Sequence, residues 1–173
     1  LTSMAYQGGK ALVKEYILRV LNHPVFDGWD FGDVFFGMGH IGSGVKNKRS
    51  YHFSDLSPRL VALHDAVRQH GVEALPHISK AEYDALRALD GNDAISGAAA
   101  YLYTWQGKEW GGYVDRRHGR RYAEARLKHL KRLRRSEAYR NATFQCCSIF
   151  DYSARDTDDT LIYCDPPYKG TTN

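Results

Sequence analysis

The residues best suited to chemistry stand at 161–168, LIYCDPPY. An apolar run of the kind that forms a buried strand delivers Asp165, and Pro166 and Pro167 hold the next backbone in extended or turn geometry. Neither proline carries an N–H, so the nearby carbonyls are left to face a ligand. The Asp165 carboxylate and the Pro166 carbonyl then make two acceptors, a match for an amine with two N–H groups. Such an amine on a heteroaromatic ring is a poor nucleophile, because its lone pair is delocalised into the ring. Two fixed acceptors would draw the nitrogen toward tetrahedral geometry, which is catalysis by positioning and electrostatics. Tyr168 adds an aromatic face on which a base turned out of a duplex can stack. A strand-ending turn accounts for Asp-Pro, but it has no need of all four residues.

A second constellation lies upstream. Gly37-Met38-Gly39-His40-Ile41-Gly42 spells a glycine-rich nucleotide loop, and Asp55 follows at about the distance of a ribose-binding acid. Glycines let the backbone approach a cofactor closely, and the acid takes ribose hydroxyls. On spacing alone a nicotinamide dinucleotide, another adenosyl cofactor and a plain tight turn all stay open. His40 reads as a spacer. Lys10 sits at the start of a helical pattern, where a cation is poorly placed unless a carboxylate ligand meets it.

These groups need a scaffold. Apolar positions at 12, 13, 17, 20 and 21 predict a helix over 10–21. GDVFF predicts a short buried strand ending at Gly37, and RSYHFS a second strand over 49–54. Ser57 with Pro58 opens a helix to about His70, closed by Gly71. Ser79 and Glu82 have capping-box spacing for a helix to about Leu89, and another helix is expected over 93–104. Residues 105–120 read as a loop rich in Gly, Trp and Arg, 121–137 as a basic helix, and 143–147 and 160–164 as strands. Strands alternating with helices predict a parallel α/β sheet with a helical block inserted. The three notable segments then fall at carboxyl ends of strands, where such sheets bind ligands.

Charge is distributed unevenly. Residues 101–140 hold twelve Lys/Arg against four Asp/Glu, whereas the rest of the chain holds twelve against sixteen. A basic segment on an acidic body suits a polyphosphate partner, and a solvated basic helix is the alternative. Lys108, Arg116, Arg117, Arg120 and Arg121 are the candidates for phosphate or base contacts, with Trp110 and Tyr113 interleaved to stack on displaced bases. Residues 126–135 are expected to track a backbone by charge alone. Cys146, Cys147 and Cys164 form no metal-ligand spacing, and they predict buried thiols on strands in a reducing cytoplasm. The opening LTSMAYQGGK has none of the features of a secretion signal, and no apolar stretch is long enough to span a membrane.

LIYCDPPYKGTT resembles the catalytic segment of the Dam-type N6-adenine DNA methyltransferases, phage members included. Tyr6-Gln7-Gly8-Gly9-Lys10 is similar to that family's N-terminal aromatic-x-Gly-Gly-Lys element. Residues 33–39 resemble its glycine loop, and 54–57 its acidic strand end. Residues 107–122 resemble the Gly-Lys-x-x-Gly-Gly-Tyr segment of the phage branch, inside the target-recognition insertion. The likeness spans nearly the whole chain, in the family's order.

The resemblance implies a partial class I, Rossmann-like methyltransferase sheet dependent on S-adenosyl-L-methionine. Residues 1–70 and 141–173 would form the core, and 71–140 a helical insertion that recognises double-stranded DNA. Methyl transfer to N6 of a flipped adenine would rest on Asp165, Pro166, Pro167 and Tyr168. Tyr6, Gly8, Gly9, Lys10, Phe35, Gly37, Gly39, Asp55 and Asp165 would lie against the cofactor, with Ser148 where the family usually has an acid. A monomer without metal is expected, cytoplasmic, in a restriction-modification or phage setting. The start at Leu1 and the stop soon after DPPY predict a truncated chain, so binding of nucleic acid without catalysis is the alternative function.

Overall fold

The computed structural model describes residues 13–114, 116–152 and 158–166, with side chains throughout except at 116–121. Its elements run α1 (Lys14–Leu21), β1 (Asp30–Asp33), β2 (Ser50–Asp55), α2 (Pro58–His70), α3 (Lys80–Leu89), α4 (Ala94–Leu102), α5 (Arg116–Leu133), α6 (Glu137–Asn141), β3 (Ala142–Cys146) and β4 (Thr160–Tyr163). The chain divides into two compact units. One holds the sheet, from within residues 10–56 and 133–166; the other holds α2 to α4 and most of α5, within 57–132.

In the first unit all pairings are parallel and the strand order is β3-β2-β1-β4. The chain therefore builds outward from β1 to β3, then returns to place β4 on the other side of β1. That reversal is the switch point at which open α/β sheets form their ligand crevice. The mixed α/β architecture is the one expected, a parallel sheet consistent with part of a Rossmann-like methyltransferase fold.

Register sets which side chains share a face. Phe31 pairs with Tyr51, and Phe53 with Phe144, so one face is aromatic. Phe53 stacks on Phe36 at 4.2 Å, and Phe144 meets Phe36, Phe53 and Tyr139 edge-on at 5.3–5.7 Å. Tyr139 comes from α6, which packs against β2. Asp33 and Asp55 lie on this same face, one step beyond the aromatics. The other face carries Ser50, His52, Ser54 and Gly32, and a Cβ at Gly32 would stand 2.2 Å from the Tyr152 hydroxyl.

Several expectations are corrected. The first strand is 30–33 rather than 32–36: the chain turns at 34–35 so that the Phe36 ring can fold back onto Phe53. The first helix is described from Lys14, and 10–12 lie outside the described residues. The basic helix begins at Arg116 and stops at Leu133, because Ser136 caps a separate short helix by accepting the Tyr139 N–H. The cysteines are not core residues: Cys146 and Cys164 are exposed and Cys147 is half-buried, since they lie at the sheet's outer strands and carboxyl edge.

In the second unit α2 has the expected Ser57 cap, Pro58 in its first turn and Gly71 at its close, with φ +86°. The Ser79–Glu82 capping box is formed in both directions. Helix α4 is buried from Ser96 to Leu102 and packs on α2.

Candidate active site and nucleic-acid surface

The carboxyl edge of the sheet gathers the chemistry. Beyond β1 the glycine loop is held by backbone hydrogen bonds: Phe36 N–H donates to the Ser54 carbonyl of β2 (2.9 Å), and Gly39 N–H to the Phe36 carbonyl (2.8 Å). Gly37 and Gly39 have φ of +52° and +72°, a region that L side chains rarely adopt. A Cβ at Gly39 would also strike the Phe36 ring at 2.6 Å. From the neighbouring strand, Asp55 accepts the Gly37 N–H on Oδ2 at 3.0 Å. The acid at the end of β2 thus fixes the loop that follows β1.

Asp33 is a residue that sequence reasoning does not single out. It ends β1, is 2% exposed, and accepts the Gly42 N–H on Oδ2 at 3.2 Å, while its Oδ1 is buried without a hydrogen-bond partner. Burial pushes its carboxyl up to about 7. The N–H groups of Phe35 and Gly42 pull it down, and the charges of Asp55 and Asp165 push it further up. Asp55 and Asp165 thus both lie within electrostatic reach of Asp33 at this edge. The sequence signal is an acid in the otherwise apolar stretch GDVFF.

The other expected site residues fall as follows. Asp165 is half-buried and Pro166 exposed, two and three residues past β4, whose Tyr163 pairs with Asp33. Phe35 is half-buried in the turn after β1. Ser148 lies past β3, where its Oγ accepts the Phe150 N–H (3.0 Å) and its carbonyl the Asp151 N–H (3.0 Å), so it shapes a turn. That turn leaves Ile149 and Phe150 at 42% and 96% exposure. Tyr6, Gly8, Gly9, Lys10, Pro167 and Tyr168 lie outside the described residues. No three His, Cys, Asp or Glu side chains group to hold a metal among the described residues. Nor is any described helix long and apolar enough to cross a membrane.

In the helical unit, Arg116, Arg117, Arg120 and Arg121 lie in the first two turns of α5, and Lys108 is half-buried in the preceding loop. The loop aromatics depart from expectation. Trp110 meets Tyr83 edge-on at 5.3 Å and has the Arg59 guanidinium 5.7 Å from its ring. Tyr113 donates its hydroxyl to the Ile78 carbonyl and also packs on Tyr83. Both are engaged in packing rather than presented for stacking, because α3 supplies Tyr83 as an aromatic partner. Trp105 and Tyr122 are the pair left at the surface, 50% and 37% exposed, with ring centroids 5.8 Å apart. Along 126–135, Arg126 and His129 are buried while Lys128, Lys131, Arg132, Arg134 and Arg135 are not, so only part of that stretch is open to a partner. The helical period of α5 turns 126, 129, 130 and 133 inward.

Against known proteins, the family described as D12 class N6 adenine-specific DNA methyltransferase matches the chain over residues 6–173. No curated protein matches it.

Proposed function

Because the chain belongs to the D12 class N6 adenine-specific DNA methyltransferase family, we propose that it transfers a methyl group from S-adenosylmethionine to N6 of an adenine in double-stranded DNA. The observation that carries this reading is that Asp33 and Asp55 end the adjacent parallel strands β1 and β2 and Asp165 follows β4 on the other side of β1, beside a loop whose glycines present bare backbone. Asp55 and Asp165, joined by Asp33 as it ionises near pH 7, suit a ligand bearing a sulfonium and an ammonium and disfavour the pyrophosphate of a nicotinamide dinucleotide. That charge argument favours S-adenosylmethionine where loop spacing alone does not. When bound, S-adenosylmethionine supplies an electrophilic methyl on a sulfonium.

The chain's own residues then divide the work. Asp55 holds the loop through Gly37 and is assigned the ribose hydroxyls, with Phe35, Gly37 and Gly39 lining the approach. The Asp165 carboxylate and the Pro166 carbonyl accept the two N–H groups of adenine and favour the positive charge that grows on its nitrogen. Tyr168 is assigned to stack on the flipped base, Pro167 to stiffen the segment, and Tyr6, Gly8, Gly9 and Lys10 to the amino-acid end of the cofactor. Ser148 takes the place of an acid near the cofactor's adenine. Lys108, Arg116, Arg117, Arg120 and Arg121 are assigned to DNA. A reaction on DNA belongs in the cytoplasm of a bacterial or phage-infected cell.

Transfer of tritiated methyl from S-adenosylmethionine to unmethylated duplex DNA, followed by nucleoside analysis, tests this reading. Label in N6-methyladenine is the expected result. A folded protein that binds DNA but leaves no label on adenine would be a binding domain without catalysis.

A further inference from the structure

The loop after α4 closes as a small hairpin. Thr104 and Tyr113 form an antiparallel bridge, Trp105 N–H donates to the Gly112 carbonyl (2.9 Å), and Val114 N–H donates to the Tyr103 carbonyl (3.1 Å). Between these contacts the chain passes through positive φ at Gln106 (54°), Gly107 (71°), Trp110 (51°) and Gly112 (101°). Two of these are not glycine, and such residues visit that region rarely. Trp110 is packed, which accounts for its conformation. Gln106 is exposed at the tip, next to Trp105, and its own side chain gains no burial in return.

Arg126 lies at the foot of this tip. It is 5% exposed, and its guanidinium carbon is 5.8 Å from the Tyr122 ring centroid, the ring that meets Trp105. Its Nη1 donates to the Leu102 carbonyl at 2.8 Å and to the Thr104 carbonyl at 2.7 Å. Leu102 is the last residue of α4, so its carbonyl is one that a helix end leaves unpaired. Thr104 belongs to the first arm of the hairpin. One side chain from α5 thus caps α4 and grips the hairpin together. Nη2 is buried without a partner, and no described carboxylate bonds the guanidinium. Burial lowers its pKa to about 10, so it stays charged near neutral pH. An apolar side chain would fill the same space without burying a charge, which points to the grip itself as the reason for an arginine.

We propose that Arg126 is a positioning residue for DNA recognition, holding the Trp105–Gln106 tip rigid on the basic helix α5 so that the tip contacts a base. The partner is argued from charge: residues 101–140 carry the basic excess that a nucleic acid selects. The glutamine amide at the tip can donate and accept at once on an adenine edge, and the exposed indole can stack. The inference rests on the reading of DNA as the substrate.

The test uses the full-length protein and a duplex that it selects from a randomised pool. Binding is followed by fluorescence anisotropy on that duplex and on versions with one base pair changed, over a range of salt. The variants are Arg126→Met, Arg126→Lys, the tip pair Trp105→Ala with Gln106→Ala, and their combinations. Arg126→Met and the tip pair should each reduce discrimination by about tenfold, the scale of a single base-edge interaction. Combined, they should do no more than either alone, because both act through the same tip. The salt slope should hold, since Arg126 is not assigned a phosphate, and Arg126→Lys should recover part of the loss by keeping one carbonyl bond. Undiminished discrimination in folded Arg126→Met, losses that multiply independently, or no sequence preference in the parent would overturn the proposal. So would a slope that falls by about one unit, the mark of a direct phosphate contact. If Arg126→Met does not fold, the cycle of Arg126→Lys with the tip pair decides on the same criterion of coupling. Methyl transfer is assayed on the same samples, so a parent that discriminates among duplexes but does not methylate sinks the catalytic reading and leaves this one standing.

Discussion

Gly42 donates its backbone N–H to Oδ2 of Asp33 at 3.2 Å, and a Cβ on Gly42 would come within 2.8 Å of that same oxygen. Loop and acid are fitted to each other, and burial leaves the acid at about 7. That value is raised above the roughly 3.9 of an unfolded aspartate. Between about pH 4 and 7 the native state therefore keeps a proton that the unfolded chain has already released. The stability that Asp33 confers is fully present below about pH 4 and is lost as the pH rises through 7. Unfolding free energies from denaturant titrations between pH 5 and 8 should fall with rising pH, by an amount on the order of a few kcal/mol. Asp33→Asn should flatten that limb; an Asn variant with the parent's slope would show that Asp33 does not titrate there.

The same titration should appear in cofactor binding. A cation near Asp33 favours its ionised form. Affinity for S-adenosylmethionine should climb as the pH passes through about 7, and it should climb less for S-adenosylhomocysteine, which lacks the sulfonium. Calorimetry at several pH values measures both. Equal pH dependence for the two ligands would mean that Asp33 does not sense the sulfonium.

A packing prediction concerns the helical unit. A Cβ at Gly97 would stand 2.3 Å from the Arg59 carbonyl oxygen and 3.0 Å from the Leu63 Cβ. The first obstacle is backbone of α2, which cannot swing aside as a side chain can. Alanine brings about 1 kcal/mol of helix propensity, but overpacking costs about 1–3 kcal/mol and more where backbone must shift. Gly97→Ala should therefore lower the melting temperature, and a Tm at or above that of the parent would show that α2 and α4 can separate freely.

What the sequence makes legible is whatever rests on local rules. The Ser57 and Ser79 caps, the parallel sheet and the strand that delivers Asp165 follow from short-range spacing, and they stand. The first strand begins two residues and ends three residues earlier than expected because Val34, Phe35 and Phe36 look like a strand, whereas Phe36 leaves it to stack on Phe53, a partner 17 residues away in sequence. Trp110 and Tyr113 look available for bases because the sequence does not say that Tyr83 will pack against both. Arg126 looks like one more cation on a basic helix. Its burial depends on where the carbonyls of Leu102 and Thr104 arrive.

The four arginines at the start of α5 carry a prediction about salt. Replacing Arg116, Arg117, Arg120 and Arg121 with glutamine should weaken DNA binding and flatten the plot of log affinity against log salt. For every phosphate no longer neutralised, the slope should fall by about 0.9. Titrations between low and physiological salt measure it, and an unaltered slope would mean that this face is merely solvated.

The last prediction separates an enzyme from a turn. Asp165 follows β4 beside Asp33, near enough for its charge to raise the Asp33 pKa. Asp165→Ala removes an acceptor whose value is greatest when the adenine nitrogen is becoming tetrahedral. The loss should fall mainly on turnover, by about two orders of magnitude or more, roughly 3 kcal/mol, the scale seen when one placed electrostatic group is deleted. DNA affinity should change much less, since the assigned phosphate contacts lie on α5 and its loop. Some cofactor affinity should also be lost, and the pKa of Asp33 should drop once its neighbour's charge is gone. Single-turnover rates, DNA titrations and calorimetry on the same preparation distinguish these effects. A folded Asp165→Ala protein that methylates adenine near the parent rate would reduce the DPPY segment to a strand-ending turn, whatever the variant does to the pKa of Asp33.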